Sequence, residues 1–172
     1  MLQAHEIQLL WSQLKVLILL DKLLHEWSFI LKFEIPEKKT FLDSHSIQVR
    51  WGDMDALGHV NNAMYFRYME SARVAYLSKI GILLGHENES FVLANTMCNF
   101  ILPASYPANL MIETYVSKIG NSSVDFIHKF IKHDNKNEIV AVGLATAVWV
   151  NLIKNKAIAL PRSIKDELSK AT

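Results

Sequence analysis

Between residues 45 and 51 the chain alternates, with Ile47, Val49 and Trp51 on one face and Ser46, Gln48 and Arg50 on the other. A period of two is that of a strand with one buried face, so these residues predict the first strand. After the loop at 52–60 the period changes. Tyr65, Met69, Ala72, Tyr76 and Ile80 recur at helical spacing, flanked by Phe66 and Leu77, and predict one long helix over 62–80. Asn61 or Asn62 can cap its start and Gly81 supplies its stop. Arg67, Glu70 and Arg73 sit three apart and read as surface ion pairs, which are worth little.

Beyond Gly85 the composition turns to that of strands, broken by polar turns at 105–108, 120–122, 134–137 and 154–156. Four further strands fit, at 91–103, 109–119, 122–133 and 138–150. The turns between the last three are too short for a parallel crossover, which makes those strands antiparallel neighbours. Residues 139–150 are apolar almost throughout, as in a strand covered on both faces, whereas Val124, Phe126 and Phe130 alternate with Asp125 and Lys129. The expectation is an α+β domain in which a curved antiparallel sheet of five to six strands wraps one long helix. Residues 161–170 add a short terminal helix opened by Pro161 or Ser163.

Residues 1–40 stand apart. They are apolar with a helical rhythm, carrying Trp11, Trp27 and the run Val16-Leu-Ile-Leu-Leu20, and Pro36-Glu-Lys-Lys39 reads as the linker that follows. Lys15, Asp21, Lys22, Glu26 and Lys32 interrupt the stretch too often for a membrane span, and residues 1–14 carry Glu6 and no basic residue, unlike an export signal. An amphipathic helix packing on the domain or on a partner, a membrane-surface helix, and sequence upstream of the natural start all remain open. The domain proper is expected at 41–172.

The whole chain has 172 residues, 51% of them apolar, enough for one real core but not for two full domains. With 18 Lys and Arg against 17 Asp and Glu, no field favours nucleic acid or another polyanion. Cys98 is the single cysteine, which excludes an internal disulfide and any multi-cysteine metal site. It reads as a small buried hydrophobe, and the composition suits a reducing, cytoplasmic location.

Two acids, a glycine, a histidine and two asparagines crowd between the first strand and the long helix. A helix start presents unpaired N–H groups and the positive end of the helix dipole, which suit an anion or a developing oxyanion. A thioester carbonyl becomes such an oxyanion when it is attacked. Gly58 allows close backbone approach or a left-handed turn, and Asp55 lies within reach of whatever the amides hold. Asp-x-Asp-x-x-Gly also opens a calcium loop, but its fifth position here is Leu57 and its twelfth Met64, so calcium is rejected. Asp53, Asp55 and His59 would have to converge from one loop to hold a transition metal, and no metal or other cofactor is expected.

The segment resembles the active-site signature of the 4-hydroxybenzoyl-CoA thioesterase superfamily, in particular its bacterial acyl-CoA thioesterase branch. The resemblance rests on Trp51-Gly-Asp-Met-Asp55, Gly58-His-Val-Asn-Asn62 and Tyr65-Phe-Arg-Tyr-Met-Glu-Ser-Ala-Arg73, and the order of elements extends it to about residue 165. It implies a hotdog fold that joins two sheets edge to edge as a homodimer, often a homotetramer, with each active site between two helices. It also implies hydrolysis of an acyl-CoA to a carboxylic acid and CoA. Asp55 matches the catalytic carboxylate, as nucleophile or as base on water, and His59 falls where related plant enzymes carry a functional histidine. Those enzymes have an asparagine two residues earlier, where this chain has Leu57, so their full constellation does not transfer. Gly58, Val60, Asn61, Asn62 and Tyr65 match the stretch that meets substrate, with the amide near Asn62 as donor to the carbonyl.

Each of these residues has a plainer use. Asp53 reads as a turn cap, Asn61 and Asn62 as helix caps, and Tyr65 and Glu70 as packing and surface residues. His59 either acts on substrate or hydrogen-bonds the loop. Lys129, Lys132 and Arg162 could meet CoA phosphates but suit a solvated surface. The other six histidines show no paired spacing. Two other functions remain for a hotdog domain, a non-catalytic acyl-CoA binding or sensing module and an enoyl-thioester hydratase.

Overall fold

The structure is a computed structural model that describes residues 33–82, 88–133 and 138–170. The chain divides into two compact units, Met1–Glu34 and Ile35–Thr172. Only Phe33 and Glu34 of the first unit are described, so the helix expected there lies outside the described residues.

The second unit is one antiparallel sheet carrying one long helix. Its strands are β1 (Thr40–Gln48), β2 (Glu89–Phe100), β3 (Asn109–Ile119), β4 (Ser123–Lys132), β5 (Glu138–Asn151) and the short β6 (Lys156–Ala157). The order across the sheet is β1-β3-β4-β5-β2, with β6 also paired to β5. β3, β4 and β5 are antiparallel neighbours, as expected. What the turns do not announce is that β2, second along the chain, lies beside β5 at the far edge. The long helix α1 (Asn62–Lys79) crosses between β1 and β2 in chain order, and a second helix α2 (Arg162–Lys170) ends the described chain.

The first strand differs from the expected 45–51. β1 stops at Gln48, and Trp51 begins a single 3-10 turn, Trp51–Asp53, where its side chain is 74% exposed. The cause is local. The Asp53 carboxylate accepts the Arg50 N–H at 2.8 Å and the Asp53 N–H donates to the Arg50 carbonyl at 3.0 Å, which turns the backbone out of strand geometry before Trp51 can reach the core. In β5 the expected double cover holds over residues 140–143, all buried, and gives way to alternation of buried and half-buried positions beyond them.

Helix α1 buries Tyr65, Tyr68, Met69, Ala72, Arg73, Tyr76 and Leu77. Its first half packs in a cluster with Val49, Val60, Leu110, Ile112, Phe130 and Val140, and its second half in one with Val116, Val124, Phe126, Trp149 and Leu168. Met69 meets the sheet at Gly143, where an added Cβ would come within 2.0 Å of its sulfur, so a side chain there would force Met69 to shift. The surface pairing expected of three charges is met by two. Arg67 and Glu70 pair at 2.6 Å, whereas Arg73 is 8% exposed and donates to the Met69 carbonyl at 3.4 Å. Three residues turn a helix by 300°, so successive members of an i, i+3 series drift around it and the third reaches the buried face.

Candidate active site

The loop between β1 and α1 is a closed piece of hydrogen bonding. The Asp55 N–H donates to the His59 carbonyl at 2.8 Å, and the Gly58 N–H donates back to the Asp55 carbonyl at 3.0 Å. Gly58 has φ of 74°, a left-handed turn in which glycine is unstrained. Met54 and Val60 pair as an antiparallel bridge, and the buried Val60 donates its N–H to the Ala104 carbonyl at 2.7 Å. The loop is thereby pinned to the core at its far end.

Within it the half-buried Asp55 accepts the Leu57 N–H at 2.8 Å and the His59 N–H at 3.4 Å, both through Oδ1. The second carboxylate oxygen has no hydrogen-bond partner among the described residues. At the helix start the Asn61 Oδ1 accepts the Ala63 N–H at 2.9 Å and the Asn61 carbonyl accepts the Met64 N–H at 2.8 Å. Asn61 is thus the cap, of the two asparagines considered. The Asn61 N–H goes to the Asp53 carbonyl at 2.9 Å. That leaves the Asn62 N–H, at the exposed first position of α1, without an acceptor among the described residues. The imidazole of His59 is exposed and likewise makes no hydrogen bond among them.

Asp55, Gly58, His59, Val60, Asn61 and Asn62 therefore share one loop and helix start. Tyr65 does not join them. It is 3% exposed, with its ring edge-on to Phe100 and Phe130 at 5.2 Å, and burial, then the nearby Cys98, pushes its hydroxyl up to about 12. In the described chain it packs in the first core cluster. Asp53 is a turn cap, as expected, and more, because the same Oδ2 that holds the Arg50 N–H also accepts the hydroxyl of buried Tyr68 at 2.7 Å. Tyr68 was legible only as part of the Tyr65 to Arg73 stretch. A hydroxyl on the buried face of the helix, near a turn acid, was the available signal.

Two cavities are lined by residues of the elements that the loop connects. One of about 330 Å³ lies between α1 and β2, lined by Ala63, Phe66, Arg67, Glu70, Arg73, Leu93 and Thr96. The other, of about 240 Å³, is lined by Gln48, Pro107, Ala108, Asn109, Lys132 and His133 at the end of β1. Asp55 lines neither. Cys98 is half-buried against the first core cluster, and burial pushes its thiol up to about 12, as suits the inert hydrophobe expected. Among the described residues no group of three or more His, Cys, Asp and Glu is placed to hold a metal, and no helix is long and apolar enough to cross a membrane.

Residues 49–168 match the thioesterase-like superfamily. The chain belongs to that family. It is 29% identical over 124 residues to the long-chain acyl-CoA thioesterase FadM of Escherichia coli, a match covering 71% of this chain and 93% of that protein. It is 28% identical over 126 residues to the acyl-CoA thioesterase YbgC of Haemophilus influenzae, covering 71% and 90%. Among solved structures, the PA2801 protein of Pseudomonas aeruginosa superposes with a TM-score of 0.70 at 35% identity, over 73% of this chain and 97% of that one. A 1,4-dihydroxy-2-naphthoyl-CoA thioesterase of Synechocystis shares the fold with a TM-score of 0.69 at 15% identity. The antiparallel sheet, its helix and these relatives together identify a hotdog fold, and the expectation of an enzyme that is a thioester hydrolase agrees with the relatives of named activity.

Proposed function

We propose that this member of the family hydrolyses acyl-CoA thioesters to a free carboxylic acid and CoA, with Asp55 and the start of α1 as its chemical centre. The observation that carries the reading is the pairing of a half-buried carboxylate, fixed through one oxygen by two loop amides, with a helix start whose Asn62 N–H is not spent on the cap. The acyl-CoA substrate is taken from the named activities of FadM and YbgC. Either Asp55 attacks the thioester carbon itself, giving an anhydride that water then opens, or it takes a proton from the attacking water. In both routes the C–S bond breaks, the thiolate leaves and is protonated as CoA, and the Asn62 amide meets the charge on the carbonyl oxygen. The exposed His59 orients water or polarises substrate beside it. No metal or other cofactor takes part.

In the hotdog arrangement α1 is the central helix and residues 41–172 form the catalytic domain, with residues 1–40 outside it. The edge strand β2 presents Val92, Leu93, Met97 and Phe100, each more than a third exposed, and Ile101 and Leu102 continue the patch. A second copy joined at β2 covers that edge and completes the wall of the cavity beside α1, which makes the working form a homodimer or a tetramer of two such pairs. The location proposed is the cytoplasm.

The test is release of free thiol from a panel of acyl-CoAs by the wild type and by Asp55→Asn. The wild type should turn over at least one class of acyl-CoA, and Asp55→Asn should fold normally and lose more than a hundredfold in kcat. Turnover of Asp55→Asn at the wild-type rate removes Asp55 from the mechanism. Absence of thiol release across the panel removes the hydrolase reading and leaves acyl-CoA binding to be measured directly.

A further inference from the structure

We infer that Tyr68 and Asp53 are positioning residues of the proposed site, a helix-to-loop anchor that sets Asp55 and the amides of the α1 start at their working separation; the inference rests on the hydrolase reading above.

Three connections converge on Asp53. Its Oδ2 accepts the Arg50 N–H at 2.8 Å and the Tyr68 hydroxyl at 2.7 Å, and its carbonyl accepts the Asn61 N–H at 2.9 Å. Capping the turn needs only the first. The Tyr68 bond instead spans 15 residues, from the second turn of α1 back to the 3-10 turn that follows β1. Both groups are enclosed, Asp53 at 8% and Tyr68 at 4% exposure, so the bond is shielded from water. Burial first, then the bond to Asp53, pushes the Tyr68 hydroxyl well above its ordinary value, which keeps it a donor at every working pH.

The consequence lies in what is attached to each side of the anchor. Two residues after Asp53 comes Asp55, whose backbone is closed on His59 and whose carboxylate is held by Leu57 and His59. On the other side, Asn61 hangs from the Asp53 carbonyl and caps the helix that carries Tyr68. The carboxylate and the free Asn62 amide are therefore referenced to the same residue, and Tyr68 references that residue to the rigid helix. Attack geometry is sensitive to shifts of about 1 Å, which cost up to about a hundredfold in rate. Loosening the anchor should accordingly appear in turnover, while residues that merely contact substrate would appear in KM.

The experiment compares Tyr68→Phe, which deletes one hydroxyl from a helix position that still packs, with Asp53→Asn and Asp53→Ala. Tyr68→Phe should lower kcat at least tenfold with KM within twofold of wild type. Asp53→Asn, which keeps an acceptor for both donors, should retain more kcat than Asp53→Ala. Independently of activity, the Leu57 and Ala63 amide protons in Tyr68→Phe should exchange with solvent at least tenfold faster than in wild type. Wild-type kcat in Tyr68→Phe overturns the inference, as does a loss confined to KM or unchanged protection of both amides. Failure of the underlying reading shows elsewhere, as a wild type that releases no thiol or an Asp55→Asn protein that turns over normally, and the exchange measurement still decides whether the anchor sets the loop.

Discussion

His128 is the most constrained ionisable side chain described. It pairs across the sheet with Thr114 on one side and Gly143 on the other, and since Gly143 touches Met69 of the helix, the imidazole is enclosed on the helix side. Its Nδ1 meets the Thr114 hydroxyl at 3.1 Å, and its buried Nε2 has no partner among the described residues. Burial, reinforced by the charge of Arg73, pushes its pKa down from 6.5 to about 3. The folded protein therefore holds the neutral form while the unfolded chain takes up a proton below about 6.5. The stability tied to His128 is present above pH 6.5 and is lost progressively as pH falls toward 3. His128→Leu should flatten the fall in melting temperature across that window, followed by circular dichroism at half-unit pH steps. Parallel curves for variant and wild type would show that another group sets the acid sensitivity. Composition did not show any of this, because the residue stands among polar and apolar neighbours in β4 with no paired spacing, and only the sheet register encloses it.

The closest approach of α1 to the sheet at Met69 falls on a glycine. Gly143 lies in the middle of β5, where a side chain would cost little if that face were open, but the Met69 sulfur occupies the space of its Cβ. Gly143→Ala should destabilise the fold by about 1 to 3 kcal/mol through overpacking. Adding Met69→Ala should restore part of that loss, so that the double variant is more stable than the sum of the singles, measured by urea unfolding. Additive losses would place the strain in the strand backbone instead. At the helix ends, Asn61 supplies the cap at the start, and Lys79 in the last turn reaches Asp43 of β1 at 2.9 Å. The helix period and its caps could be read from the chain because each depends on residues three or four apart. The end of β1 could not, since the alternation through Trp51 is intact and a carboxylate three residues past Arg50 breaks it.

For the whole molecule, the open edge is the decisive feature. β1 and β2 close the sheet on its two sides, and β2 carries the exposed apolar run. An exposed apolar edge of this kind invites pairing, and the proposed assembly places a second copy there. Sedimentation equilibrium should give a dimer or tetramer for the wild type and a monomer for Leu93→Lys combined with Met97→Lys. Thiol release should fall with the dimer, because in the proposed assembly each active site lies between two copies. A wild-type monomer with full turnover would reject the assembled site.

The sequence by itself determined the periods, the caps, the antiparallel run β3-β4-β5 and the crowding of Asp55, His59, Asn61 and Asn62 into one loop. These depend on neighbours close along the chain, where the choice of residue and the backbone geometry are directly linked. Only the tertiary structure decided that β2 sits beyond β5, that Arg73 and His128 are enclosed, that Tyr65 packs, and that Tyr68 grips Asp53. Each of those depends on segments far apart in the chain meeting across the sheet or the helix, and hydrophobic burial selects such meetings through total shape rather than through any local pattern.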